Sequence, residues 1–178
     1  MTTLTFNRPE ATEYAPYYGK YVSLVPDGDI LRTLEGQSGA TGELLRGISE
    51  GQAGSRYAPG KWSIKEVVGH IIDGERVFAY RALRFARGDQ TPLPGFEQDD
   101  YVRYGSFDAC MLSDLASEFE YVRQGTLSLF RHLDGEAWHR RGTASDAEVS
   151  VRALAYIIAG HELHHVGILK ERYLSTHI

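Results

Sequence analysis

The sequence predicts an all-α fold, a four-helix bundle with long connections. Four stretches, each about 20 to 26 residues long, repeat their apolar positions every three or four residues. Each of three of them is opened by a capping signal, and no run sustains the alternation of a convincing strand.

Residues 1–26 carry Tyr14, Tyr17, Tyr18 and Tyr21 with Pro9 and Pro16 but no sustained period, so an ordered N-terminal arm laid over the domain is expected. Pro26-Asp27-Gly28-Asp29 supplies an N-cap, and Ile30, Leu34, Thr41, Leu44, Leu45 and Ile48 form an inward stripe, placing a first helix at about 29–50. A Gly/Ser/Pro loop follows over 51–60. Ser63 and Glu66 have capping-box spacing and open a second helix. It runs to Arg87, stopped by Gly88 and the downstream Pro92, with Ile64, Val67, Val68, Ile71 and Phe78 on its apolar face.

Residues 90–107 show no period and contain Pro92, Pro94, Gly95 and Gly105, which predicts a long loop. Its aromatic content suits a cover over one end of the bundle. The third helix is expected from Asp108 to about Leu133, with Leu112, Leu115, Phe119, Val122, Thr126, Leu129 and Leu133 as core and Cys110 as a small helix residue. Asp134-Gly135 ends it. Residues 136–149 read as a polar connection with room for a turn of helix around Trp138, and Ser150 caps the last helix, Val151 to Leu169. A thirteen-residue connection reaches about 43 Å, more than the ~30 Å length of such a helix, so simple up-down-up-down topology is not forced.

With 178 residues and 42% hydrophobic content, the chain is expected to form one domain over 1–178. It has neither an apolar run of membrane-spanning length nor a secretory signal pattern, so a cytoplasmic protein without a membrane partner is expected. Cys110 is the single cysteine, which leaves no internal disulfide. A net charge of −5 without a Lys/Arg cluster speaks against a nucleic-acid surface.

The chemistry lies in the last helix. His161 and His165 fall four residues apart on its apolar face, a spacing that allows two imidazoles to bind one metal ion. With Glu162 the same residues spell H-E-x-x-H, the zincin protease signature, in which the glutamate acts as general base. The metzincin extension fails, because its glycine and histidine positions hold Ile168 and Glu171. Glu171 also lies about 240° around the helix from His165. A third ligand must therefore come from upstream. His70 lies about 10 Å past the cap of the second helix, among apolar neighbours. A lone histidine on such a face is more often a core residue than a ligand, but here another element presents two ligands lacking a third.

Two carboxylates are candidates for a catalytic or orienting role, Asp73 three residues after His70, and Glu162; the alternative for both is an ordinary solvated helix acid. His164 falls at the flank, about 60° from His161 and about 100° from His165. His132, His139 and His177 are assigned no role.

The stretch Tyr18-Gly19-Lys20-Tyr21, then Y-A-P-G-K-W-S-I-K-E-V-V-G-H-I-I-D-G-E-R-V-F-A-Y-R, and the closing A-Y-I-I-A-G-H-E-L-H-H resemble the DinB-like (DinB/YfiT) family, of the W-S-x-x-E-x-x-x-H type. The resemblance covers nearly all the chain. It implies a four-helix bundle in which three histidines hold a divalent metal, carried here by His70, His161 and His165. It also implies an activity among thiol S-transferases using bacillithiol, mycothiol or glutathione, or a thiol-dependent isomerase, and a homodimer. Three neutral imidazoles leave a coordination position open, where a metal binds a thiol as thiolate or acidifies water. Imidazole suits zinc, nickel and iron alike. The expected partners are a small-molecule thiol and an electrophile. The alternatives are a metal-dependent hydrolase and a non-catalytic, stress-related bundle with a structural metal. Six of the eleven tyrosines lie in 14–21 and 90–107, so the dimer contact is expected at Phe96 to Tyr104 or at the tyrosine arm, unless that loop folds over the site as a lid.

Overall fold

Four long helices form where caps and stripes place them. In the computed structural model, which describes residues 7–175, the elements run α1 (Gly19–Val22), α2 (Ile30–Arg46), α3 (Glu50–Ala53), α4 (Ile64–Ala86), α5 (Gln98–Gly105), α6 (Leu112–Arg131), α7 (Gly135–His139), β1 (Arg141–Ala144), β2 (Ala147–Ser150) and α8 (Val151–Ile168). A π-helical turn, Leu169–Tyr173, continues α8. The caps are those the sequence offers: Asp29 accepts from the amides of Leu31 and Arg32, Ser63 and Glu66 close a capping box, and Ser150 accepts from the amide of Ala153.

Among the long helices, α2 packs on α6 and α8, and α4 packs on α6 and α8. Chain neighbours α2 and α4, and likewise α6 and α8, are not among these principal pairs, so the long connections cross the ends of the bundle. No helix of the described residues is long and apolar enough to cross a membrane.

The course of the chain departs from the sequence reading in several places. The first helix ends at Gly47, and Ser49 with Gln52 caps the separate turn α3, because a local capping box competes with continuation. The stretch 90–107 is not structureless: it holds α5, whose only buried residue is Val102, too few anchors to leave a period. Cys110 precedes the third helix, which starts at Leu112 rather than Asp108, since Phe107–Ala109 form a 3-10 turn first. The polar connection 136–149 contains the turn of helix at Trp138 and also an antiparallel hairpin, β1 against β2. Its strands are four residues long, below what alternation reveals. Ser145 and Asp146 make its tight turn, at φ 52° and 61°. The hairpin holds the aromatic stretch by Leu93, whose amide donates to Thr143 O at 2.9 Å.

The described part of the arm is ordered; residues 1–6 of the predicted arm, and His177, lie outside the described residues. Arg8 donates to the carbonyls of Val22 and Val25 at 2.5 and 2.6 Å, and buried Glu13 accepts from Ser150 Oγ at 2.7 Å and from Arg152. These bonds lay α1 across α8. The crossing requires Gly160, because a Cβ there would overlap the backbone carbonyl of Tyr21.

The apolar interior is two clusters. One is centred on Leu34, Phe85, Phe130, Trp138 and Ile157, the other on Leu45, Ile64, Leu115, Phe119 and Leu169. Between them runs a polar layer to which all four long helices contribute. This layer corrects the expected stripe of α6. Val122 and Leu129 are only half-buried, while Arg123 between Phe119 and Leu127 is fully buried.

Candidate metal centre

His70 reaches the polar layer from α4, and His161 and His165 reach it from successive turns of α8. One ring nitrogen of each lies within 4.8 Å of the others, and these three form the only such metal-capable group among the described residues. All three are buried. His161 Nε2 and His70 Nε2 are 2.9 Å apart, and His165 Nε2 is buried without a hydrogen-bond partner.

An orphaned buried nitrogen costs about 1–3 kcal/mol. An ion between the rings would satisfy it. Burial holds all three imidazoles neutral. Desolvation, with repulsion from His164, lowers His70 to about 4; desolvation, with repulsion from the neighbouring histidines, lowers His165 to about 2 and His161 well below its ordinary value. Neutral lone pairs converging in a buried site are the donor set that divalent transition ions take. The three residues therefore fit a metal.

Packing sets the ring orientations. Trp62 lies 4.9 Å from His70, Tyr21 lies edge-on 5.3 Å from His161, and Phe78 lies edge-on 5.8 Å from His161, centroid to centroid. A Cβ at Gly74 would stand 2.9 Å from His161 Cε1, so α4 must carry glycine there for the ring to lie against it.

The other candidates are not brought into this group. Glu162 is turned toward α2 and α6: its Oε1 accepts from Thr41 Oγ1 at 2.6 Å, and its Oε2 accepts from Arg123 at 2.6 Å. Burial pushes its carboxyl up, against Arg123 and Thr41. A carboxylate so engaged does not face the histidines, and the zincin assignment of a general base fails. Asp73 pairs with Arg76 at 3.6 Å, and burial raises its carboxyl. His164 is at the flank, its ring 4.9 Å from His165 and 5.3 Å from Tyr21.

The sequence reading missed the buried ion network behind the site. Arg123 donates to both oxygens of Glu75 at 2.8 Å, to Glu162 at 2.6 Å and to the carbonyl of Leu34 at 2.9 Å, joining α2, α4, α6 and α8. The signal was present. Arg123 occupies the core position four residues after Phe119 and four before Leu127, and Glu75 stands four after Ile71.

Two cavities meet the histidines. One, of about 340 Å³, opens on His165; the other, of about 280 Å³, opens on His70 and His161, and they share no lining residue.

Residues 33–169 match the sequence profile of the DinB superfamily. A protein of Oceanobacillus iheyensis, provisionally named a metal-dependent hydrolase, is 24% identical over 142 residues, 79% of this chain and 81% of that protein. The fold superposes on YfiT from Bacillus subtilis, described as a probable metal-dependent hydrolase with an unusual four-helix bundle topology. The TM-score is 0.68 and the identity 13%, over 94% of this chain and 91% of that one. It also superposes on a mycothiol-dependent maleylpyruvate isomerase, with a TM-score of 0.65 at 13% identity, covering 82% of this chain but 61% of the isomerase.

Proposed function

This chain belongs to the DinB superfamily, and from that premise we propose that His70, His161 and His165 hold one divalent transition ion, zinc, nickel or iron, with a coordination position open, in a cytoplasmic thiol S-transferase of the bacillithiol, mycothiol or glutathione class. The observation that carries the metal is the buried, partnerless Nε2 of His165, a ring clustered with two other neutral imidazoles. A bound ion supplies Lewis acidity, stabilising a thiolate near neutral pH.

The chain's own residues do the rest. Burial keeps the imidazoles unprotonated, and Tyr21, Trp62 and Phe78 pack against the His161 and His70 rings and hold their orientation. In the transfer, the thiol proton leaves to solvent, a sulfur lone pair forms the new carbon–sulfur bond, and the leaving group departs with its bonding electrons. No base is required from Glu162, which the ion network holds. Two cavities at one cluster support a two-substrate reaction. They leave a staple role less suited, since structural sites close all four positions with protein ligands and only three are grouped here. The second reading is metal-dependent hydrolysis, supported by the names of two relatives.

The test is metal-dependent conjugation of a chromogenic electrophile with bacillithiol, mycothiol and glutathione. Turnover that needs both thiol and metal is expected. Metal-dependent ester hydrolysis without thiol turnover would replace this reading with hydrolysis. No turnover of either kind, with a large fall in Tm on chelation, would replace it with a structural metal. A homodimer through the exposed Tyr101 and Tyr104 of α5 is part of the same proposal.

A further inference from the structure

The cavities beside the histidines differ in charge. The one reached through His165 is lined by Lys61 and Asp99 as well as Tyr57 and Tyr173. It adjoins a space of about 300 Å³ that shares Lys61, Trp62 and Asp99 and adds the charged residues Arg56, Glu66 and Arg103. Arg56 is paired with Glu66 and Asp108, and Arg103 lies 4.0 Å from Asp100. Lys61 is exposed, and its ammonium has no ion-pair partner among the described residues. The two spaces meet along Lys61, Trp62 and Asp99, the first of them opens on His165, and where they meet they offer an unpaired cation and a carboxylate.

The cavity reached through His70 and His161 is different. The rings of Tyr17, Tyr18, Phe78 and Phe96 line it together with the neutral Gln98 and Ser145, and its one charged lining side chain is that of Glu97. Lys20 lies outside this lining, engaged by the faces of Tyr17 and Tyr21.

We infer that the site is divided: a low-molecular-weight thiol bearing carboxylate and ammonium groups lies in the Lys61–Asp99 trough with its sulfur toward His165, and an uncharged aromatic electrophile enters the cavity between Phe78 and Phe96. This rests on the transferase reading for the chemical identity of the ligands. Lys61 takes the thiol's carboxylate and Asp99 its ammonium, the complementarity that directs a zwitterion to one mouth. The acidic Glu97 repels anions from the other mouth, and stacking favours flat apolar molecules there. A thiol without carboxylates gains nothing from Lys61.

S-Methylglutathione keeps both charged ends and lacks a free thiol, so its binding is separable from turnover. The chain has two tryptophans, Trp62 on the trough and Trp138 in the core. Fluorine NMR of zinc-loaded protein carrying 5-fluorotryptophan, assigned with Trp62→Phe, reads the trough directly and uses Trp138 as an internal reference. The Trp62 resonance is expected to shift saturably while Trp138 does not. The affinity should fall about fivefold or more in Lys61→Ala and stay within twofold in Phe96→Ala. No saturable shift, or a dependence on Phe96 rather than Lys61, overturns the division. Binding as described without conjugation of glutathione would remove the transferase reading and leave the trough assignment standing.

Discussion

At His165 the partnerless nitrogen and the depressed pKa have the same origin, burial among other imidazoles. In the metal-free chain His70 and His165 titrate at about 4 and about 2, below the 6.5 they have when solvated. Between these values the unfolded chain binds more protons than the folded one. Their contribution is thus complete above about pH 6.5 and is lost as pH falls, through 4 for His70 and further, toward 2, for His165. Glu13, which burial pushes up but Arg152 and Ser150 hold down to about 2, weakens in part of the same range. Comparison isolates the histidine: Tm of the metal-free protein should fall from pH 7 to 4.5, and less steeply in His165→Gln. Equal slopes contradict the account. Arg123 makes the complementary case, because Arg123→Met leaves Glu75 and Glu162 buried without their cation. A loss of about 3–5 kcal/mol is expected in urea unfolding. The convergence of His70, His161 and His165 was legible in the sequence because spacing and depth along a helix are local properties. Glu162 was not, since its adjacency to two ligands says nothing about which neighbouring helix it faces.

At the scale of elements, caps and stripes located α2, α4 and α8 well, because each is written within one turn of chain. The hairpin and α5 were illegible for the opposite reason. Four-residue strands and a helix with one buried side chain gain their order from what they touch, here Leu93 and the bundle. The crossing of α1 over α8 is also contextual, and it places Tyr21 on His161. Gly160→Ala should therefore destabilise the protein by about 1–3 kcal/mol through overpacking. Gly36, inside α2, faces open space, so Gly36→Ala should raise stability by up to about 1 kcal/mol. Thermal melts of the two variants should move in opposite directions. A shift of the same sign in both would refute the packing argument.

For the whole molecule, the polar layer between two apolar clusters is the organising feature. It puts the histidines and the Arg123 network at one level, where all four long helices meet. The sequence contained every member of this layer but not the diagonal arrangement of α2 with α4 and α6 with α8, which depends on connections long enough to permit several topologies. On the outside, Tyr104 is 72% exposed and Tyr101 44%. Light scattering at micromolar concentration should give about twice the 19.9 kDa chain mass; a monomer would withdraw the dimer, and a dimer persisting in Tyr101→Ala/Tyr104→Ala would move its contact off α5. Elemental analysis of protein purified without an affinity tag should give one equivalent of a divalent transition ion per chain, falling by at least tenfold in His161→Ala and in His70→Ala, while Glu162→Gln retains most of it. Unchanged metal content in the two histidine variants would contradict the site described here.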